Sequence, residues 1–186
     1  MGGQAMEDRL YRGFAAGVVG GVVASVLSHL SYFLGLSSLR SSDWAAILIF
    51  AHVPPFSWAE HLFSIFIHIG WSGAVGSLFA YFLVWVTSRK IFFKGWMLGT
   101  APYFVIYLLT SLFHTPGTVP TSFSTALSNY ITASIFGIVM AYSFKVLDQA
   151  TAQHRSPLTL LAHPAAKPTG EDKSQPRLGD DQGDGI

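Results

Sequence analysis

The sequence predicts an all-α membrane protein with four transmembrane helices. Hydrophobic residues make up 51% of the 186 positions, charged residues only 11%, and the mean hydropathy is +0.43. A soluble domain of this size is less apolar than that. The charged residues also fall in short breaks between long apolar stretches, as in chains that cross a bilayer several times.

Four stretches are long enough to cross a bilayer. The first, residues 13–36, contains no Asp, Glu, Lys or Arg over 24 residues, and a bilayer core needs about 20 helical residues. The other predicted spans cover residues 57–86, 95–113 and 123–144. Together they predict one transmembrane domain, residues 13–147, preceded by a cytoplasmic N-terminal segment, residues 1–12.

A fifth apolar stretch, residues 43–53, is only about half the spanning length. Ser42 or Asp43 is placed to cap a short helix, and the two prolines that follow the stretch must end it. Trp44 is the kind of residue that anchors a helix at a membrane surface. We therefore expect an interfacial or re-entrant helix that does not cross.

Basic residues predict the orientation. If the N-terminus is cytoplasmic, ten of the eleven Lys and Arg residues lie on the cytoplasmic side, and only Arg40 lies outside. The C-terminus is then cytoplasmic too. Residues 150–186 are rich in proline, glycine and mixed charges, which predicts a disordered cytoplasmic tail.

Composition and motifs exclude several functional classes. The net charge of +1, without a basic run, gives no basis for nucleic-acid binding. With no cysteine, the chain cannot form disulfides, thiolate metal sites or cysteine nucleophiles. The sequence has no GxSxG motif, no P-loop and no acidic metal-binding run. We expect a protein without enzymatic activity.

Small residues predict how the helices pack. Gly13, Gly17, Gly21 and Ser25 recur every four residues and so share one face of the first span, where another helix backbone can approach closely. Gly137 lies on a similar stripe in the fourth span. Such a face serves either packing within the chain or a homo-oligomer formed through the first helix.

Histidines form the second pattern. His29 continues the small-residue face of the first span by four more positions, and Glu60 and His68 lie on one stripe of the second span, with His61 on a neighbouring face. His114 ends the third span. With the orientation above, these side chains gather in the outer half of the membrane.

Three interpretations of this cluster stay open. In the first, Ser57 and Glu60 form a capping box, and the histidines make ordinary hydrogen bonds between helices. In the second, a divalent metal or proton site draws on the five candidate residues, because imidazole and carboxylate suit such ions; these are His29, Glu60, His61, His68 and His114. In the third, His29 and His68 ligate a haem.

Several segments resemble the YqhR-like small membrane proteins of Gram-positive bacteria. They are Gly17-Val18-Val19-Gly20-Gly21, Lys94-Gly95-Trp96-Met97-Leu98-Gly99, Thr115-Pro116 and Phe136-Gly137-Ile138-Val139-Met140-Ala141-Tyr142-Ser143. The resemblance implies a bacterial membrane location and a four-helix layout, and it supplies no active residues. The second span, with Glu60-His61 and His68, is also similar to the YagU-like inner-membrane proteins, a family linked to acid tolerance.

These observations lead us to expect a non-enzymatic accessory or envelope component of a bacterial plasma (inner) membrane. Its expected partner is the lipid bilayer, and no cofactor is required. The alternative is a small oligomeric transporter or channel for protons or a divalent metal, which would use the cluster of histidines and Glu60.

Overall fold

A computed structural model describes residues 2–85 and 90–162, and the side chains of residues 8–85 and 90–151. This part of the chain is helical and contains no strand. Its helices are α1 (Gly2–Phe33), α2 (Ser41–Phe50), α3 (Trp58–Trp85), α4 (Ile91–Leu112) and α5 (Phe123–Ala162). Four of them, α1, α3, α4 and α5, are long and apolar enough to span a membrane, which confirms the predicted fold class.

The first and last helices are longer than predicted. Residues 2–12, expected as a separate segment, are helical and continuous with the first span. Helix α5 continues to Ala162, so the expected disordered tail does not begin at residue 150. Extending an existing helix adds one hydrogen bond per residue without a new nucleation cost, which allows polar residues to continue it. The rest of the predicted tail, residues 163–186, lies outside the described residues.

Small residues bring α1 and α3 together, as their spacing predicts. A Cβ atom added at Gly17 would meet the carbonyl oxygen of Ser72 and lie 3.0 Å from the Cα atoms of Gly73 and Gly76. A Cβ atom added at Gly13 would lie 2.5 Å from the carbonyl oxygen of Gly76. The two backbones therefore touch along this line, and no larger side chain fits between them.

Gly21 and Ser25 extend this face along α1. A Cβ atom added at Gly21 would lie 2.5 Å from the Cβ atom of Ser72. Ser25 is half-buried, and its carbonyl oxygen accepts a hydrogen bond of 2.8 Å from His29 Nδ1. Because α3 covers this face within the chain, a homo-oligomer formed through α1 would have to use another face of that helix.

Helices α4 and α5 pack in the same way around Gly137. A Cβ atom added at Gly95 would lie 2.6 Å from the carbonyl oxygen of Gly137, and one added at Gly99 would meet its Cα atom. Helices α1 and α5 meet at Gly20, where an added Cβ atom would lie 3.0 Å from the ring of Phe136. The spanning helices are thus joined in the order α3–α1–α5–α4.

The two ends of the bundle differ. One end, which we call the α2 end, is covered by α2, which packs mainly against α3. Towards the opposite end the interior is filled by Phe79, Met140 and Phe144, which are at most 2% exposed. There Arg12 of α1 forms an ion pair of 3.3 Å with Asp148 of α5.

Helix α2 packs into the protein more deeply than expected. It has 10 residues and rises about 15 Å, so it cannot cross a bilayer. Its N-cap is Arg40 and not Ser42 or Asp43, and the Arg40 N–H donates to Asp43 Oδ2 at 2.8 Å. Trp44, expected at a membrane surface, is only 6% exposed.

Candidate functional site

A cavity of about 120 Å³ lies between α3 and α4, and we call it the α3–α4 cleft. Its walls include Trp44 of α2, His68 and Trp71 of α3, Tyr103 and Tyr107 of α4, and Asn129 of α5. Most of the lining is apolar. Such a cavity, largely apolar with a few polar groups, is the usual form of a ligand site between helices.

The cleft exists because the small-residue faces of α3 and α4 pack against other helices and not against each other. Helix α3 turns its small residues towards α1, and α4 turns Gly95 and Gly99 towards α5. Bulky side chains remain on the facing sides, and the two helices barely touch. Pro102 also lines the cleft and has no backbone N–H, so the Leu98 carbonyl loses its regular helical partner at this level.

Aromatic rings form one wall of the cleft. The rings of Trp44 and Tyr107 lie 4.9 Å apart, and those of Tyr103 and Tyr107 lie 4.5 Å apart. Both tyrosine hydroxyls have partners, because Tyr103 donates to the carbonyl oxygen of Ala126 at 3.0 Å and Tyr107 accepts from Asn129 Nδ2 at 3.1 Å. These bonds hold the wall in place.

Two residues that line the cleft each have a ring nitrogen without a hydrogen-bond partner. Trp44 Nε1 and His68 Nε2 are both buried, and neither has a hydrogen-bond partner among the described residues. An indole N–H can only donate, whereas an imidazole nitrogen can donate or accept. Both nitrogens have almost no accessible surface, and a buried polar group without a partner costs about 1–3 kcal/mol.

The structure brings together three of the five predicted site residues. The rings of His29 and His61 lie 5.7 Å apart in an edge-to-face arrangement. His68 lies close enough to His29 for their charged forms to repel each other. His61 Nδ1 is 3.8 Å from Asp43 Oδ1, which is too far for a hydrogen bond but close enough for a charged imidazole to be attracted.

Glu60 and His114 lie apart from these histidines. Glu60 accepts a bond of 2.7 Å from the Ser57 N–H, and its own N–H donates to Ser57 Oγ at 3.3 Å, which is the predicted capping box. Glu60 Oε1 also pairs with His52 Nε2 at 3.1 Å. His114 is exposed in the turn after α4, with a φ of 47°.

His52 is the loop histidine with a clear electrostatic effect. Its Nδ1 bonds to the Val53 carbonyl oxygen at 2.9 Å, and its Nε2 faces the Glu60 carboxylate. The backbone bond to Val53 and then the bond to Glu60 favour the protonated imidazole, so they raise the pKa of His52 above 6.5.

The described histidines do not assemble into a metal site. Within residues 2–85 and 90–162, no three His, Asp or Glu side chains are arranged to hold a metal ion. The haem interpretation, with His29 and His68 as ligands, stays a prediction. In the structure the rings of His29 and His61 pack against each other, and His29 Nδ1 hydrogen-bonds to the Ser25 carbonyl oxygen.

Sequence reasoning missed an ion pair beside the histidines. Asp43 is 1% exposed, and its two oxygens accept from Arg40 Nε at 3.2 Å and 3.1 Å. The Arg40 guanidinium lies 4.9 Å from the centre of the Tyr32 ring. The signal was present in the sequence, because Arg40 is the one basic residue on its side of the predicted membrane.

Comparisons with known proteins give no relative from which the role of the cleft could be inferred. No family model matches the chain, and neither a curated protein nor a solved structure does. The function is therefore proposed from the lining of the cleft and from the separation of α3 and α4.

Proposed function

We propose that this chain is a non-enzymatic membrane protein that binds an apolar, bilayer-resident molecule through the α3–α4 cleft. The observation that carries the proposal is the separation of α3 and α4, two spanning helices that face each other across an apolar cavity. In a bilayer, such a gap opens sideways to the lipid chains. A ligand dissolved in the membrane can enter without passing through water.

The packing of the other helices supports this proposal. Lipid supplies no hydrophobic force between helices, so spanning helices associate where small residues let their backbones approach. The contacts α1–α3, α4–α5 and α1–α5 each have such a close approach, at Gly17, Gly137 and Gly20. Helices α3 and α4 have bulky residues instead, including Trp71 and Tyr103, and these shape a binding surface.

The size of the cleft limits what it can hold. A volume of about 120 Å³ is somewhat less than the roughly 150 Å³ cavity that binds benzene. The cleft therefore accommodates the end of a molecule, and the rest extends between α3 and α4 into the bilayer. This arrangement selects an amphiphile with a long apolar tail.

The membrane and the orientation are part of the proposal. The excess of basic residues on one side favours an orientation with both termini in the cytoplasm and the α2 end outside. Segments similar to the YqhR-like proteins support a bacterial membrane and a role as an accessory or envelope component.

Photo-crosslinking tests the proposed site. The purified chain, in nanodiscs that contain a phospholipid with a diazirine on its acyl chain, should be labelled mainly at Trp71 and Tyr103. Ile106→Trp fills the cleft and should reduce this labelling several-fold. Leu108→Trp should not reduce it, because Leu108 lies on the same helix but is 66% exposed. Labelling spread evenly over the lipid-facing surface, and equal in both variants, would contradict the proposal.

Ion transport is the second candidate, and one observation favours it. Asp43, His61 and His29 form a short series of titratable groups at the α2 end. Farther along the bundle, Phe79 and Phe144 fill the interior and are at most 2% exposed. A small oligomeric transporter would therefore need a path between copies of the chain. Proton or zinc uptake into liposomes, lost in His61→Ala, would support this candidate.

A further inference from the structure

The bundle carries its positive charge at the end opposite α2, which we call the basic end. Among the described side chains, this end has five Lys or Arg residues and two Asp or Glu residues, whereas the α2 end has one basic residue and two acidic ones. The basic residues of the basic end are Arg9, Arg12, Lys90, Lys94 and Lys145, and its acidic residues are Asp8 and Asp148. An excess of one sign of charge attracts ligands of the opposite sign.

The basic side chains lie at the depth of the lipid headgroups. Lys145 comes 22 residues after Phe123, the first residue of α5, and the Arg9 guanidinium lies beside the Phe144 ring. At 1.5 Å per residue, this length of helix rises about 33 Å, slightly more than the roughly 30 Å of a bilayer core. If α5 begins at one edge of the core, both cations therefore reach the layer of lipid phosphates at the other edge.

Arg9 has no carboxylate partner among the described residues. Asp148 of the neighbouring α5 pairs instead with Arg12, at 3.3 Å. Asp8 comes directly before Arg9, and adjacent residues on a helix do not face each other. Arg9 is half-buried, and its guanidinium carbon lies 5.7 Å from the centre of the Phe144 ring. A cation in such a place is costly unless an anion meets it.

We propose that Arg9 binds the phosphate of an anionic phospholipid in the leaflet around the basic end. A guanidinium can donate two parallel hydrogen bonds to a phosphate, and such charged pairs are stronger than neutral hydrogen bonds. The Arg9 Nε atom is enclosed and has no partner, so the phosphate meets the two terminal amino groups. Lys90 and Lys145 are exposed at the same end, and their charge favours a headgroup with a net negative charge over a zwitterionic one.

The surface next to the basic end fits the rest of a lipid. Lys145 Nζ lies 5.9 Å from the centre of the Phe92 ring, which is 41% exposed, and the neighbouring Phe93 is 55% exposed. Exposed rings beside the cations give acyl chains an apolar surface at the level where the headgroup meets the basic side chains. A free phosphate ion or an acidic protein segment would gain nothing from that surface.

Lipid binding to the full chain in detergent tests the inference. The protein is titrated with a phosphatidylglycerol and, separately, with a phosphatidylcholine that has the same acyl chains, and complexes are counted by native mass spectrometry. Binding in the α3–α4 cleft contributes equally to both titrations, because the two lipids share their tails. We expect the phosphatidylglycerol to bind about tenfold more tightly, and Arg9→Gln to weaken its binding about tenfold. Equal binding of the two lipids by the unaltered protein would overturn the inference.

Lys145→Gln is the matched control, because it removes the same unit of charge from an exposed side chain of the basic end. It should weaken phosphatidylglycerol binding about twofold at most, since solvent and salt screen exposed charges. Arg9→Lys keeps the charge but loses the forked donor, and it should weaken binding about threefold. If Arg9→Gln fails to fold, as judged by circular dichroism and thermal unfolding, Arg9→Lys and the comparison of the two lipids decide the question.

Two further outcomes would contradict the inference. Equal losses in Arg9→Gln and Lys145→Gln would mean that charge attracts the lipid without a site at Arg9. Displacement of the bound phosphatidylglycerol by an excess of inorganic phosphate would mean that the site takes a free anion and not a lipid.

Discussion

Replacing Gly17 with alanine should destabilise the bundle, because the added methyl group has no space. Its Cβ atom would meet the carbonyl oxygen of Ser72 and lie 3.0 Å from the Cα atoms of Gly73 and Gly76. Carbon atoms in good contact are about 3.5–4.0 Å apart. All three neighbours are backbone atoms, so no side-chain rotation relieves the clash, and α1 must move away from α3 by roughly 0.5–1 Å.

The magnitude follows from two opposing terms. Overpacking of this kind costs about 1–3 kcal/mol. Alanine in a helix interior gains about 0.5–1 kcal/mol over glycine, which offsets part of the loss. We therefore expect Gly17→Ala to lower the free energy of unfolding by about 1–2 kcal/mol. Gly21→Ala should also destabilise the protein, because its Cβ atom would lie 2.5 Å from the Cβ atom of Ser72, which side-chain rotation does not move.

Gly70 provides a matched control in α3. A Cβ atom added there has no other atom within 4 Å, so Gly70→Ala should be neutral or slightly stabilising. The assay is unfolding of the purified protein in mixed micelles with increasing SDS, followed by circular dichroism. If Gly17→Ala proved as stable as Gly70→Ala, the contact between α1 and α3 would not pass through Gly17.

Three further predictions concern the loops and the α2 end. In NMR titrations His52 should have a pKa above 6.5, and Glu60→Gln should lower it only in part because the bond to Val53 remains. The raised pKa of His52 contributes stability to the folded protein below pH 6.5, and this contribution is lost as the pH rises through the folded-state pKa. Glu60→Gln should therefore destabilise the protein more at pH 5.5 than at pH 8.5. Asp43→Ala should cost about 2–3 kcal/mol because it leaves the partly buried Arg40 unpaired, and Asp43→Asn, which keeps an acceptor, should cost less in the same unfolding assay. Reporter fusions in the α1–α2 and α4–α5 connections should be external and those between α3 and α4 cytoplasmic; the reverse pattern would invert the proposed orientation.

The site shows where sequence reasoning succeeded and where it stopped. His68 was identified because it lies eight residues after Glu60, which is two steps of four and places both on one face of a helix, and that spacing is a local property. Its partner in the cleft, Trp44, was assigned to a membrane surface, since a tryptophan in a short apolar helix usually lies there. Whether that helix lies on the bundle or packs into it depends on contacts with Tyr107, 63 positions away in the sequence.

The small residues show the same division. Their spacing determined which face of α1 is flat, but a flat face fits a second copy of the chain as well as another helix of the same chain. Contacts at Gly73 and Gly76 assign that face to α3. Only the three-dimensional arrangement could decide between the two uses, because it depends on which helices the connections allow to meet.

The sequence by itself determined the number, type and approximate bounds of the spanning helices, because hydropathy and the cost of exposing backbone groups in lipid act on each segment separately. The tertiary structure decided that α3 and α4 stay apart, that Asp43 pairs with Arg40 inside the protein, and that Trp44 and His68 share one cavity. These features depend on the order in which helices pack, and that order is set by close approaches summed over the whole bundle.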